Sequence, residues 1–222
     1  MASGTKERIL NAAERLFADS GLGATSLRDI TSEAAVNLAA VNYHFGSKEA
    51  LLKAVLERRF RPINERRISW LDELENQAGE NGPALEDILL AFLGPSFDAW
   101  THYGDSGQKF LRLVGQIHTQ PKEEIRTVFV SQFDQVLDRY TKALMRALPS
   151  LDPDEVRRRM FFVVGAMAQT MIWGEQFASR TSQGAHNLRQ IRESLVRFAA
   201  AGFAAEALTQ VRGPVDSSGG QS

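Results

Sequence analysis

The side chains best suited to specific recognition lie between residues 37 and 48, where the chain reads N-L-A-A-V-N-Y-H-F-G-S-K. The amide of Asn42 can pair with adenine through two hydrogen bonds, and small or apolar side chains can contact a thymine methyl group. Lys48 and the backbone N–H groups at a helix start can hold phosphate oxygens. This stretch therefore favours recognition of DNA, with a weak preference for A·T base pairs.

Two helices joined by a tight turn must position these side chains. Ser47 can cap a helix that begins at the next residue, and Thr25 or Ser26 can cap an earlier one. The pattern is interrupted at 36–37, and 38–44 has room for about two turns, roughly 10 Å at 1.5 Å per residue. A unit of this kind can place the N-terminal residues of its second helix in the DNA major groove.

Two further helices are predicted to flank this unit. Apolar residues recur at helical spacing in the first, which Gly21 can end in the left-handed conformation. The helix after Ser47 is predicted to end near Phe60, because Pro62 disfavours helical geometry at the residue before it. We therefore predict a helix-turn-helix domain over 1–60.

The segment 5–60 contains, in order, T-K-E-R-I-L-N-A-A-E-R-L-F-A-D-S-G, T-S-L-R-D-I-T, A-V-N-L-A-A-V-N-Y-H-F and S-K-E-A-L-L. In order and spacing these motifs resemble the DNA-binding domain of the TetR family of bacterial transcriptional regulators. One departure is visible, because the turn of that family usually carries Gly where this chain has Ala35. The run V-N-L-A-A-V-N-Y-H-F-G-S-K, with R-P-I-N after it, is also similar to the fatty-acid-responsive regulators of pseudomonads.

We predict that the start of the short helix reads base edges and that its surroundings hold phosphates. The residues predicted to contact DNA are Thr25, Arg28, Asn37, Leu38, Ala39, Ala40, Asn42, Tyr43, His44 and Lys48. A structural alternative exists for some of them taken singly. The ring of Tyr43 can pack on the first helix, His44 can be a hydrogen-bonded structural histidine, and Asn37 can be only a helix cap.

Composition sets the limits of the protein's class. A chain of 222 residues with 43% hydrophobic content can bury a sizeable core in one or two domains. The net charge of −1 gives no electrostatic support for DNA binding, so that prediction depends on the motif and on local basic groups. Without cysteine, disulfides, thiolate zinc sites and cysteine nucleophiles are excluded.

Signals for membranes and catalysis are poor. The most apolar run, 160–173, is shorter than the roughly 20 residues that a span needs, and we expect a cytoplasmic protein without membrane contact. The G-L-G-A-T segment at Gly21 lacks a third glycine and follows a helix, so it does not fit a dinucleotide loop. The four histidines have no paired metal-ligand spacing. We predict no enzymatic activity, cofactor or metal.

The remainder of the chain is predicted to be helical, because no stretch shows sustained alternation with a period of two. The fold class is therefore all-α. The resemblance to the TetR family implies a C-terminal effector-binding and dimerisation domain over 61–212, and the small polar residues of 213–222 predict a disordered tail. The predicted helices span 63–76, 83–93, 108–118, 121–147, 153–179 and 187–208.

Of the last two helices, the first is apolar around much of its circumference, which is typical of a helix buried on nearly all sides. The final helix has a long apolar stripe with small residues that permit close approach. The two helices are predicted to form a two-fold four-helix interface between two copies of the chain. The alternative is that they are core helices of a single copy. The predicted interface residues are Val163, Met167, Met171, Ile191, Leu195, Phe198, Gly202 and Phe203.

Polar and aromatic residues mix on probable helices between 92 and 132 and are candidates for lining a pocket. From them we predict Trp100, Arg112, His118 and Arg126 as effector contacts, although such a mixture is also typical of an ordinary amphipathic helix edge. We expect the effector to be largely apolar with one polar or anionic end.

The resemblance to the TetR family implies a homodimer that binds a palindromic double-stranded operator, most often as a repressor. It also implies that a small molecule entering the C-terminal domain releases the DNA. The alternative function is a ligand-binding or interaction protein that retains the helix-turn-helix scaffold without regulating transcription, and a helical enzyme comes third.

Overall fold

The computed structural model describes residues 3–118, 122–178 and 188–207, and within these ranges every regular element is a helix, as predicted. A short 3-10 helix occupies Gly79–Asn81. The predicted disordered tail lies outside the described residues. The α-helices are α1 (Ser3–Ser20), α2 (Leu27–Glu33), α3 (Leu38–His44), α4 (Lys48–Ala78), α5 (Leu85–His118), α6 (Glu123–Val130), α7 (Asp134–Ala147), α8 (Pro153–Ala178) and α9 (Leu188–Ala204).

The first three helices and the first half of α4 enclose one apolar core. Ile9 and Phe17 of α1 are fully buried, as the helical spacing of apolar residues predicted. They meet Ile30 of α2, Val41 of α3 and Leu56 of α4 in the same cluster. The short helix α3 is therefore held in place by the burial of one side chain and is free to present its other side outward.

Helix α4 continues through Pro62 instead of ending near Phe60, so the predicted break is wrong. A proline inside a helix removes a hydrogen bond and costs about 3 kcal/mol. Burial of Leu56, Ile63 and Leu71 offsets this cost, since each fully buried side chain contributes roughly 1.5–3 kcal/mol. The result is one helix of 31 residues that belongs to both halves of the chain.

Helix α5 joins two segments that the sequence predicted as separate helices. Pro95 lies inside its first segment, and the chain bends at Gly104, which has φ 49° and ψ −132°. This conformation is accessible to glycine and strained for other residues. At Gly94 an added Cβ would lie 3.0 Å from the ring of Trp70, so the absence of a side chain there lets α4 and α5 approach closely.

A second core lies between the end of α4, the first part of α5, and helices α7, α8 and α9. Its buried members include Leu71, Phe92, Tyr140, Met160 and Phe203. The segment predicted as one helix over 121–147 is divided into α6 and α7 by a turn.

The two halves share apolar contacts in addition to α4. Phe110, Leu113, Val114 and Ile117, at the end of α5, are buried in the same cluster as the side chains of α1. The predicted domain boundary near residue 60 therefore falls inside a helix and beside a shared core. Of the helices in the described ranges, none is both long enough and apolar enough to cross a membrane.

Candidate nucleic-acid interface and internal cavity

Side-chain caps set the starts of α2, α3 and α4. Ser26 and Asp29 form a capping box, in which the Asp29 N–H donates to the Ser26 hydroxyl at 3.2 Å and the Ser26 N–H donates to the carboxylate at 2.8 Å. The Ala40 N–H donates to the Asn37 side-chain oxygen at 2.9 Å. Ser47 caps α4 in the same way at 3.1 Å. Each cap satisfies a backbone N–H that would otherwise lack a partner.

The turn between α2 and α3 keeps the left-handed geometry that glycine favours, although the chain has alanine there. Ala35 has φ 50°, and among the described residues it is the one non-glycine residue with positive φ. This conformation costs an L-residue about 1–2 kcal/mol. The departure from the family's usual glycine therefore introduces local strain at this turn.

Helix α3 buries one side and exposes the other. Val41 is fully buried, whereas Leu38, Ala39 and Asn42 are exposed and Tyr43 is 86% exposed. Packing of the Tyr43 ring on α1 is thereby excluded. These four predicted DNA contacts thus share one accessible surface, which we call the α3 face.

Three other predicted DNA contacts, Ala40, His44 and Asn37, make contacts within the protein. Ala40 is half-buried against the N-terminal core. The ring of His44 is half-buried, with its centre 5.1 Å from the centre of the Tyr43 ring. Asn37 uses its side-chain oxygen as the cap of α3 and retains its amide N–H groups for other partners.

The predicted phosphate contacts differ in their accessibility. Arg28 is exposed, whereas Thr25 is 3% exposed and its hydroxyl donates to the carbonyl of Gly21 at 2.8 Å. The prediction that the Thr25 hydroxyl holds a phosphate is therefore wrong, because this group fastens the loop after α1. Lys48 is half-buried and donates to the carbonyl of Leu22, and burial lowers its pKa from the ordinary lysine value.

A cavity of 420 Å³ lies between α4, α5, α6, α7 and α8. This volume is in the range of small-molecule sites, and its walls are mainly apolar. The lining residues are Arg59, Phe60, Ile63, Arg67, Phe92, Ser96, Ala99, Trp100, Gly107, Phe110, Leu111, Val114, Ile117, Arg126, Phe129, Val130, Phe133, Leu137, Phe161, Val164, Met167, Ala168, Met171 and Ile172.

Four phenylalanines form one wall of the cavity. The ring centre of Phe60 lies 5.1 Å from that of Phe110, 5.7 Å from that of Phe129 and 4.7 Å from that of Phe133. Their interplanar angles are those of edge-to-face pairs, a favourable arrangement for aromatic rings. This wall joins α4, α5, α6 and the start of α7.

Among the described residues, the charged ones on the cavity wall are all arginines. Arg126 is exposed, and Arg59 is paired with Glu14 of α1, from whose carboxylate oxygens its Nε lies 3.1 Å. Arg58, beside it on α4, donates to the same carboxylate at 2.7 Å. The third cavity arginine, Arg67, is fully enclosed. A residue of the cavity wall is thus ion-paired directly to the first helix of the chain.

The predicted effector contacts are divided by the structure. Trp100 and Arg126 line the cavity. Arg112 does not line it, and its guanidinium lies 3.5 Å from the carboxylate of Asp19 on the surface between α5 and α1. The side chain of His118 lies outside the described residues. Arg112 is therefore corrected from an effector contact to a surface link between the two halves.

Several predicted interface residues are buried within the single chain. Val163, Met167, Leu195 and Phe203 belong to its own C-terminal core, while Met171 and Ile191 are partly buried against that core. The prediction that the four buried side chains face a second copy is wrong, because their helices pack on each other and on α5. The exposed members of the predicted set are Phe198, which is 70% exposed, and Gly202.

The sequence predictions missed most of the cavity wall. Arg67 follows another arginine in a stretch that has the charge pattern of a solvated helix surface, so nothing in its neighbours signals burial. The phenylalanines were visible as apolar residues, but the side on which each would lie depends on how α4, α5 and α6 cross. The described residues contain no group of acidic or histidine side chains that could hold a metal ion.

Two family models match the chain. The model described as "Bacterial regulatory proteins, tetR family" matches residues 9–55, and "Tetracyclin repressor-like, C-terminal domain" matches residues 90–202. Together they cover the α3 face and most of the helices around the cavity.

Among curated proteins the similarity is confined to the N-terminal part. The chain is 51% identical over 49 residues to the HTH-type transcriptional repressor Rv3405c of Mycobacterium tuberculosis, covering 22% of this chain and 26% of that protein. It is 46% identical over 52 residues to the uncharacterized HTH-type transcriptional regulator YerO of Bacillus subtilis, covering 23% and 18%. The match thus spans about a quarter or less of these relatives.

Solved structures are similar over nearly the whole chain. The transcriptional regulator FadR of Bacillus subtilis in complex with stearoyl-CoA is 17% identical, with a TM-score of 0.68 over 88% of this chain and 98% of that one. The fatty acid degradation regulator FadR of Bacillus halodurans is 16% identical, with a TM-score of 0.63 over 91% and 97%. At these identities the likeness shows the fold alone.

Proposed function

Because the chain belongs to the TetR family of bacterial transcriptional regulators, we propose that it is a ligand-responsive repressor that binds a palindromic operator as a homodimer. The observation that carries the proposal is that one apolar core connects the exposed α3 face with the wall of a cavity in the C-terminal half. A small, largely apolar effector in that cavity releases the DNA. We place this action in the cytoplasm, with no cofactor and no catalysis.

The α3 face supplies the groups for reading base pairs. The Asn42 amide offers a donor and an acceptor for adenine, and Leu38 and Ala39 offer apolar contact to thymine methyl groups. Arg28 and Lys48 fix the position on the phosphates, together with the N-terminal N–H groups of α4. Asn37 and His44, at the two ends of α3, are placed to add further contacts to the DNA.

Exposed aromatic side chains on α8 and α9 support a dimer. Phe162 and Trp173 stand on one side of α8, eleven positions apart, and are 65% and 53% exposed. Phe198 and Gly202 form an exposed stripe on α9. We take these exposed apolar side chains as the dimer surface, because large exposed apolar patches mark interaction sites. A two-fold arrangement of these stripes places two α3 faces on a palindrome, whose half-sites are centred about 34–36 Å apart when they fall on one face of the duplex.

The connection between cavity and α3 face supports control by a ligand. Phe110, Val114 and Ile117 line the cavity and also pack in the N-terminal core. The Arg59–Glu14 pair adds a second connection to α1. An effector that favours a different packing of these residues shifts the protein away from the DNA-binding arrangement, provided that it binds that state more tightly.

The names of similar proteins support the direction and the class of the response. Rv3405c is called a repressor, and the FadR structure of Bacillus subtilis contains stearoyl-CoA. The resemblance of 36–48 to fatty-acid-responsive regulators agrees with an apolar effector. An apolar body gains roughly 25 cal/mol per Å² buried, which is enough for micromolar binding after the costs of association.

The test begins with selection of duplexes from a random-sequence pool by the full-length protein, followed by sequencing. We expect an inverted repeat to be enriched, and we expect its affinity to fall steeply with salt concentration. Effectors are then screened for release of the selected duplex, using straight-chain acids, acyl thioesters, aromatic acids and hydrophilic metabolites.

Each outcome has a distinct meaning. If the enriched repeat is released only by strongly hydrophilic compounds, the proposal of an apolar effector is contradicted, whereas the proposal of a DNA-binding regulator stands. An enriched sequence without two-fold symmetry would contradict the proposal that the operator is palindromic. Absence of both enrichment and salt-dependent DNA binding would contradict the proposal as a whole and favour a ligand-binding protein that retains the scaffold.

A further inference from the structure

Arg67 has an environment unlike that of the other arginines in the described ranges. It is 1% exposed, and its guanidinium lies 4.5 Å from the centre of the Phe92 ring. Its Nε donates to the carbonyl of Phe92 at 2.8 Å, Nη1 donates to the Asn64 side-chain oxygen at 3.0 Å, and Nη2 donates to the Ser96 hydroxyl at 2.6 Å. All of these acceptors are neutral.

Within the described ranges the cavity offers no counter-charge to this group, because none of its lining residues is acidic and no carboxylate lies within ion-pair distance of Arg67. Burial lowers the pKa of Arg67 to about 10, so the guanidinium is still protonated at neutral pH. A buried charge without a partner is strongly unfavourable. An anion at this position would remove that penalty.

Hydrogen-bond donors remain available beside the charge. A guanidinium has five N–H groups, of which three donate here to oxygen and one points to the weakly accepting sulfur of Met167 at 3.6 Å. The Ser96 hydroxyl accepts from Arg67, and a hydroxyl that accepts can also donate its own hydrogen. Both residues line the cavity. These donors suit the two oxygens of a carboxylate.

We propose that Arg67 and Ser96 bind the carboxylate of an organic acid whose apolar body extends towards the phenylalanine wall at Phe60 and Phe110. This inference rests on the proposed function, because it takes the cavity as the effector site and adds the head group and its partners. It makes Arg67, and not the exposed Arg126, the residue that selects acids over neutral compounds of the same shape.

The test compares probes with one chain and different head groups, namely decanoate, decanol and decyltrimethylammonium, by calorimetric titration of the full-length protein. Hydrogen bonds to charged groups predict that decanoate binds about tenfold to a hundredfold more tightly than decanol. The cationic probe should bind more weakly still. Decanoyl-coenzyme A has no free carboxylate, so its binding compared with that of decanoate shows whether the site selects the acid or its thioester.

Two variants assign the preference to the proposed groups. In Arg67→Met the preference for decanoate over decanol should disappear while decanol still binds. Ser96→Ala is the milder change and should reduce the preference several-fold, which keeps the test available if Arg67→Met does not fold. Arg112→Met is the matched control, because Arg112 is exposed and lies outside the cavity wall, and it should retain the wild-type ratio.

The proposal is overturned if wild-type protein binds decanoate and decanol equally, or if the ratio survives in folded Arg67→Met protein. It is also overturned if Arg126→Gln alone removes the ratio, since the anion would then lie at the exposed arginine. Operator release by decanol as well as by decanoate would contradict the proposed carboxylate site, whereas the proposed function as a regulator would stand. Loss of all DNA binding in the wild type would be a failure of the proposed function instead.

Discussion

Replacing Glu14 by glutamine should destabilise the protein measurably, because this carboxylate joins the first helix to α4. It is 6% exposed and receives hydrogen bonds from Arg58, at 2.7 Å, and from Arg59. Glutamine has nearly the same shape, keeps one acceptor oxygen and removes the negative charge. The substitution therefore tests the charge with little change in packing.

The expected loss follows from the burial of the partners. The Arg59 side chain is 14% exposed, so its contact should be worth roughly 1.5–2 kcal/mol, near the lower end for charge-assisted hydrogen bonds. The Arg58 side chain is 24% exposed, and solvent reduces its share to about 0.5–1 kcal/mol. Together they predict a loss of about 2–3 kcal/mol. For a chain of this size that lowers the melting temperature by roughly 5–10 °C.

Thermal and urea unfolding, followed by circular dichroism at one fixed protein concentration, measure this change. Glu7→Gln is the matched control, because Glu7 lies on the same helix, contacts Arg58 at 3.2 Å and has a side chain that is 53% exposed. We expect it to change stability by less than about 0.5 kcal/mol. Equal effects of the two substitutions, or a stable Glu14→Gln protein, would show that the buried contact does not stabilise the junction.

Three further predictions concern DNA, assembly and the turn. Lys48→Ala should weaken binding about uniformly across duplexes and lower the salt slope by about one, whereas Asn42→Ala should change the preference between sequences; titration of specific and scrambled duplexes distinguishes them. Phe198→Glu should yield folded monomers by light scattering, whereas Phe203→Glu should unfold the chain, because Phe203 is 1% exposed and an unpaired charge there has no access to water. Ala35→Gly should stabilise the protein by up to about 1 kcal/mol in urea unfolding, since it relieves the left-handed strain and loses part of that gain to chain entropy.

Local chemistry was enough to predict the helix-turn-helix. Hydroxyl and amide side chains at 26, 37 and 47 can satisfy helix N-termini wherever they lie, and all three do so. The spacing of apolar residues in α1 likewise identified its buried side. These features depend on neighbours within a few positions, which a single sequence displays directly.

Features that depend on distant partners were not predictable in the same way. Pro62 and Pro95 are helix breakers by local rules, yet packing of α4 against α5 lets each helix continue through its proline. The apolar pattern of α8 and α9 indicated burial, which holds for Val163 and Phe203 but not for Phe162. The pattern contains no information on whether the chain itself or a second copy provides the covering surface. Arg67 was missed for the same reason, because only the crossing of α4 and α5 encloses it.

The shared core at the end of α5 determines how this protein could be re-engineered. Residues 1–60 cannot be exchanged as an independent cassette, because a chimera would set a foreign first helix against Phe110 and Ile117 and leave Arg59 without its carboxylate. The α3 face is not constrained by such contacts, since Asn42 and Tyr43 are exposed and contribute nothing to the core. Recognition of a new operator therefore requires substitution of only a few exposed side chains, while the rest of the protein is left unchanged. The part that can be transferred between such proteins is one side of the two-turn helix α3.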